Sequence, residues 1–272
     1  ILCVKGANAS GKTNVLKALF VVSDFCANSF KLEPDAELDF RSFFDNPEPC
    51  EFMVEFSIDE DIYTYELEAT CKEVKVEKLY RKKSAKGSRK SRLFERKENK
   101  IVSVSNDFKF LKKITIRNNA SVISTALQYE PDKFKAIHSY FSSTRSNVTA
   151  FGLKDDKVPY NKITEFFSQN KQYLSWVTKI IKNVDRDIDN IEILDREDHN
   201  GEKFYFPIFH YKTEDGLKWL TFHNLSSGTK SLYLQLSEYK FMLDQGGILI
   251  LDEFDINLHP HILPLLINLF ED

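Results

Sequence analysis

The sequence predicts an α/β fold carrying an antiparallel β-lobe and a helical insertion. Three observations lead there. Gly6-Ala7-Asn8-Ala9-Ser10-Gly11-Lys12-Thr13 lies between an apolar run and a stretch of helical spacing, the strand–loop–helix context of a phosphate loop. Ile248-Leu249-Ile250-Leu251-Asp252-Glu253 is an apolar run ending in two carboxylates, which fits a central parallel strand buried on both faces. Between them, residues 51–82 alternate at period 2, the mark of antiparallel strands with one buried face.

Taken in order, residues 1–5 read as a short buried strand and Lys12 to about Phe25 as a helix, with Val15, Leu16, Leu19 and Val22 on one side. Residues 26–50 hold Pro34, Asn46, Pro47 and Pro49 and read as irregular. Strands follow on Phe52-Val54-Phe56-Ile58, on Tyr63-Tyr65-Leu67-Ala69 and on Val74-Val76-Leu79, with Asp59-Glu60-Asp61 as the first turn. Residues 81–97 are basic, with Gly and Ser interspersed, and read as a hairpin tip; 109–116 is a candidate returning strand. Helical spacing marks 131–142 and 161–183, with Pro159 at the start of the second. Residues 190–195, 203–211 and 217–222 read as strands, with Asp215-Gly216 turning the last pair. Lys230 to Asp244 reads as a helix closed by Gln245-Gly246-Gly247. The chain thus divides into a phosphate-loop part (1–50), a β-lobe with a basic hairpin (51–130), a helical and strand insertion (131–222) and a closing part (223–272), all within one head.

Composition narrows the class. At 272 residues, 42% hydrophobic and 29% charged, the chain is long enough for a sizeable core. The net charge of −3 gives no global attraction to nucleic acid. Cys3, Cys26, Cys50 and Cys71 form no C-x-x-C pair, so zinc is not expected and reduced thiols in a cytoplasmic protein are. No apolar run is long enough to span a bilayer, and the start is not a signal peptide. The phosphate-loop strand begins at residue 1 without an initiating Met, which reads as a piece of a longer protein.

The motifs carry the chemistry. A triphosphate needs many short hydrogen bonds, and the backbone of Asn8, Ala9 and Ser10 can supply them if Gly6 and Gly11 let the chain curl. The helix opening at Lys12 and Asn14 adds its positive end. Lys12 is expected to reach the β- and γ-phosphates, and the Thr13 hydroxyl to ligate Mg²⁺. Asp252 is expected to hold the same ion, and Glu253 to polarise the attacking water as general base. Leu225-Ser226-Ser227-Gly228-Thr229 precedes a helix, so Ser226, Ser227, Gly228 and Thr229 offer an anion-seeking N-terminus. Its role as a grip on a partner's γ-phosphate stands beside the plainer reading of Ser226 as an ordinary helix cap.

Together these residues resemble the ABC-type ATPases of the RecF/SMC/OLD branch. They are most similar to the ATP-binding proteins of abortive-infection, Septu, retron and PARIS antiphage systems. The likeness rests on Gly6 to Leu19, on Ser226-Ser227-Gly228-Thr229 and on Asp252-Glu253-Phe254-Asp255-Ile256-Asn257-Leu258-His259-Pro260. It implies a phosphate-loop head whose ATP is sandwiched between two protomers, in a homodimer or higher homo-oligomer, and an effector such as a nuclease or toxin. The chain departs from the pattern at Ser227, where many relatives have Gly, at Thr229, where they have Gln, and at His259, where transporters and SMC heads have Asp. The switch His is expected beyond Asp272. Gln128 is one candidate for the Q-loop.

Three functions remain in contention: an ATP-hydrolysing switch in a defence complex, a DNA-binding repair-type head, and a scaffold that binds ATP with little turnover. Glu253 leans against the scaffold. The DNA-binding reading would use the basic stretch 81–97, although Phe94 is its only aromatic. His259 and His261 flank Pro260 and are not expected to form a zinc pair.

Overall fold

The computed structural model describes residues 1–85, 87–154, 159–197, 199, 201–255 and 258–271. They fall into two units: Val4–Leu153 with Gly247–Asp252, and Ile1–Cys3 with Lys154–Gly246 and Glu253–Asp272.

In the first unit, α1 (Lys12–Asn28) runs three residues past the expected end and buries Val21, Val22, Phe25 and Cys26. Five strands then form one antiparallel sheet in chain order: β1 (Cys50–Ile58), β2 (Asp61–Ala69), β3 (Val74–Lys82), β4 (Ser91–Lys97) and β5 (Lys100–Val104). Ile58 pairs with Asp61 and Lys97 with Lys100, so both hairpins close over two residues. Asp59 and Glu98 open those turns at φ 52° and 53°, the left-handed region that two-residue hairpins require. After α2 (Val122–Ala126), α3 (Pro131–Ser142) lays Phe134, Ile137 and Phe141 against the sheet. The Phe141 ring stands 5.1 Å from Phe56 and 5.6 Å from Tyr65, both edge-on. Burying each such ring contributes roughly 1.5–3 kcal/mol.

The basic stretch does form a hairpin, between β3 and β4, but it extends beyond the tip. Its second half is β4, and Arg96 within it is wholly buried. Arg96 Nη1 lies 3.2 Å from Glu77 Oε2, and its guanidinium also donates to the carbonyls of Ala120 (2.5 Å) and Arg117 (2.7 Å). Glu77 accepts in turn from the Tyr65 hydroxyl at 3.0 Å and the Val122 amide at 2.9 Å. A charge run reads as solvated in sequence; here one member is neutralised from a neighbouring strand and so can lie inside. The expected strand at 109–116 is also displaced. Residues Asn106–Lys113 form two 3-10 turns joined by a kink at Phe108, and the returning strand is β5, whose short alternation is hidden by nearby lysines. After α3 come β6 (Thr144–Ser146) and a small hairpin of β7 (Val148–Thr149) and β8 (Gly152–Leu153).

The second unit begins with α4 (Tyr160–Gln169) and α5 (Lys171–Val184), where one helix was expected. Asn170 separates them at φ −127°, ψ 72°. Its side-chain amide donates to the Phe166 carbonyl at 2.8 Å, a local bond that competes with the helix ladder. Next come β9 (Ile188–Glu197), β10 (Lys203–Thr213) and β11 (Gly216–Thr221), an antiparallel sheet in the order β11-β10-β9. The β10–β11 turn is Glu214-Asp215, one residue earlier than expected, because Thr213 pairs with Gly216. Helix α6 (Ser227–Gln245) also starts three residues early and stops at Gly246, φ 73°. Buried Tyr233 on α6 meets Phe167, Phe209 and Phe222 at 5.3, 5.5 and 5.8 Å, and its hydroxyl lies 3.0 Å from Thr164 Oγ1.

Strand β12 (Ile248–Ile250) belongs to the first unit and pairs in parallel with β6, Ile248 opposite Thr144 and Ile250 opposite Ser146. It is not the doubly flanked central strand expected: among the described residues β6 is its sole neighbour, and Ile248 and Leu249 are half-buried. Residues 1–5 form no strand either, and Ile1 and Leu2 are exposed. An apolar run becomes a strand only where a neighbour takes up its backbone groups, and none does among the described residues. Helix α7 (Leu263–Asn268) closes the chain, the Phe270 ring after it 5.6 Å from Tyr239 of α6.

Candidate nucleotide site

The loop from Gly6 to Gly11 curls tightly. Ser10 donates to the Ala7 carbonyl at 3.3 Å, Ala9 sits at φ 60°, and Gly11 turns into α1 at φ 87°. A Cβ at Gly6 would stand 2.5 Å from Ser10 Oγ, so a side chain there would require that hydroxyl to rotate aside. No side chain caps α1, and its first turn carries no acid. Its leading amides, which have no partner inside the helix, are therefore left for an anion. Gly6 to Ser10 and Asn14 are exposed; Gly11, Lys12 and Thr13 are half-buried. The Lys12 ammonium donates to the carbonyls of Gly6 (3.0 Å) and Ala7 (2.8 Å), which draws the loop around its own cation.

At the second residue of α1, the Thr13 hydroxyl donates to Asp252 Oδ2 at 2.6 Å, across 239 residues of sequence. Two hard oxygens on facing elements make the donor set a magnesium ion favours. Asp252 is also held through its backbone. The Asn147 amide donates to the Asp252 carbonyl at 2.7 Å, and the Asp252 N–H donates to Asn147 Oδ1 at 2.8 Å. Sequence reading missed Asn147 because β6, the strand it follows, carries no apolar alternation in Thr144-Arg145-Ser146. Glu253, the next residue, has φ 50°, a left-handed conformation that costs a non-glycine residue about 1–2 kcal/mol.

The Leu225–Thr229 segment enters α6 with Ser226 as its cap. Ser226 Oγ accepts from the Thr229 amide at 3.1 Å and lies 2.8 Å from Thr229 Oγ1. The plainer reading of Ser226 thus holds as geometry. Thr229 is buried and its hydroxyl engaged with Ser226, while Ser226 and Ser227 are exposed and Gly228 is half-buried. An anion meeting this end of α6 would find Ser227 and the free amides before it found Thr229.

Other expected features fall as follows. Gln128 lies in the turn between α2 and α3, its backbone N–H donating to the Thr125 carbonyl at 3.1 Å. The His259 and His261 rings stack at 4.9 Å, yet no group of three metal-ligating residues occurs among the described residues. The four cysteines are free. No helix among the described residues is long and apolar enough to cross a membrane. Ile256 and Asn257 of the third motif, and Lys86 of the basic stretch, lie outside the described residues.

The family described as "AAA domain, putative AbiEii toxin, Type IV TA system" matches the chain over residues 1–272. No curated protein matches it.

Proposed function

The chain belongs to this AAA-domain family, and on that premise we propose that it is an ATP-hydrolysing switch of the ABC-like kind. Membership gives the α/β phosphate-loop fold and a link to toxin–antitoxin systems. The finer reading is that two protomers close on two ATP molecules and thereby control an effector, a nuclease or a toxin, in antiphage defence. The observation that carries it is the meeting of Thr13 and Asp252 at 2.6 Å beside the Lys12 loop.

Each residue has a task in that reading. The curled amides of Asn8 to Lys12 bind phosphate oxygens, and Lys12 exchanges its two loop carbonyls for the β- and γ-phosphates. Thr13 and Asp252 would hold Mg²⁺, which neutralises charge on the phosphates. Glu253 orients a water and takes its proton as the terminal phosphate leaves. Ser226, Ser227 and Gly228 approach the γ-phosphate of the partner's nucleotide, and its loss releases the pair.

Light scattering on the Glu253→Gln variant tests this. A doubling of mass on adding Mg-ATP is expected, because nucleotide is bound and not consumed. A monomer with and without Mg-ATP would overturn the shared site.

A further inference from the structure

The parallel ladder between β6 and β12 does not stop where its strands stop. The Asn147 backbone N–H donates to the Ile250 carbonyl at 3.2 Å, the last backbone rung. Beyond it the main chain turns away into β7, and the Asn147 carboxamide takes over. One side chain then meets both backbone groups of Asp252, donating to its carbonyl at 2.7 Å and accepting from its amide at 2.8 Å. A carboxamide is the side-chain group that reproduces a peptide's donor and acceptor at a peptide's spacing. Asp252 is thereby fixed on its backbone by Asn147 and at its carboxylate by Thr13.

We infer that Asn147 is a positioning residue for the magnesium-binding carboxylate, acting through the Asp252 backbone and touching neither metal nor nucleotide. The inference rests on the reading of Thr13 and Asp252 as the magnesium pair. Two consequences follow from the geometry. Without the clamp, the Asp252 peptide can rotate and carry its carboxylate away from Thr13, so metal affinity falls. The chain leaves the clamp directly into Glu253 at φ 50°. A strained conformation persists only where its surroundings over-determine it. Fixing the Asp252 peptide supplies one of those constraints.

The test separates metal from nucleotide. Asn147→Leu keeps the side chain's size and removes both hydrogen bonds; Asn147→Asp keeps the acceptor and loses the donor. Binding of a fluorescent N-methylanthraniloyl ATP is measured on the full chain, first without divalent ions and then across a Mg²⁺ titration. Mn²⁺ affinity is read separately by electron paramagnetic resonance. Both variants should bind the metal-free nucleotide as the unmodified chain does, since the phosphate loop is untouched. The metal half-saturation should rise about 10–100-fold in Asn147→Leu, the usual effect of removing an outer-shell partner, and less in Asn147→Asp. A purely structural role would lower the fraction of active protein without moving the metal half-saturation, and that result would overturn the inference. An unmodified chain with no Mg²⁺-dependent nucleotide binding would overturn the reading beneath it as well. An unmodified chain that binds normally beside an unshifted Asn147→Leu would overturn the inference alone.

Discussion

Arg96 and Glu77 form an ion pair with neither side chain exposed, Nη1 to Oε2 3.2 Å, in the interior of the first unit. Burial pushes the Glu77 carboxyl upward and the Arg96 guanidinium downward, and their mutual attraction opposes both shifts. Breaking such a pair from one side leaves an uncompensated charge. Arg96→Met is therefore expected to cost about 3–5 kcal/mol in urea unfolding. The double variant Glu77→Leu/Arg96→Met should not restore full stability. It orphans the Val122 amide and the Tyr65 hydroxyl, at about 1–3 kcal/mol each. Full recovery in the double variant would show that the pair stands alone.

The two loop glycines should fail differently. Gly6→Ala meets only the rotatable Ser10 Oγ, so the melting temperature should stay nearly unchanged and any loss should appear in ATP binding. Gly11→Ala meets no atom within 4 Å and instead forces a side chain to φ 87°. Its cost, about 1–2 kcal/mol, should appear in stability. Calorimetry on both variants, with and without ATP, checks the split.

Lys12→Ala removes a cation that would otherwise donate to phosphate. A charge-assisted hydrogen bond contributes about 1.5–3 kcal/mol, so ATP affinity should fall about 10–100-fold. Unchanged affinity in isothermal titration would remove Lys12 from the site.

Ser226→Ala deletes the cap of α6 and should destabilise by about 1 kcal/mol even without nucleotide. If Ser226 also grips the partner's nucleotide, the variant should dimerise less with Mg-ATP than its stability loss explains. Light scattering at matched folded fraction distinguishes the two effects.

Stability should also fall in alkali. Burial holds the Tyr239 hydroxyl up to about 12, against about 10 in an unfolded chain. The unfolded state therefore releases its proton first. The contribution is fully present below pH about 10 and is lost as the pH rises through about 12. Tyr239→Phe should flatten that decline in denaturation midpoints, and an unaltered slope would assign it elsewhere.

The elements that sequence discloses are those whose pattern is set locally. β1 to β3 carry their alternation in apolar residues, and α6 announces itself by Ser226 and Gly246. β4 and β5 stay hidden because Arg92, Arg96, Lys97 and Lys100 occupy strand positions, and only the fold shows that Glu77 receives one of them. Asn170 divides a continuous apolar stripe by a bond of its own side chain, which periodicity does not register. Thr13 and Asp252, which meet at 2.6 Å, each lie in a motif that the sequence displays. Asn147 does not, because its task depends on where β6 ends relative to β12.

The pairing around β4 also sets how the basic stretch would meet a polyanion. Of the nine cations at 81–97, Arg81 faces Asp61, Lys90 faces Glu66, Arg92 faces Glu95 and Arg96 is enclosed with Glu77. Each phosphate neutralised on a duplex releases close to one condensed counterion, about 0.9 in the slope of binding against salt. Cations already matched to carboxylates release few. A nucleic acid lying along this edge would therefore show a shallower salt dependence than a count of lysines and arginines predicts.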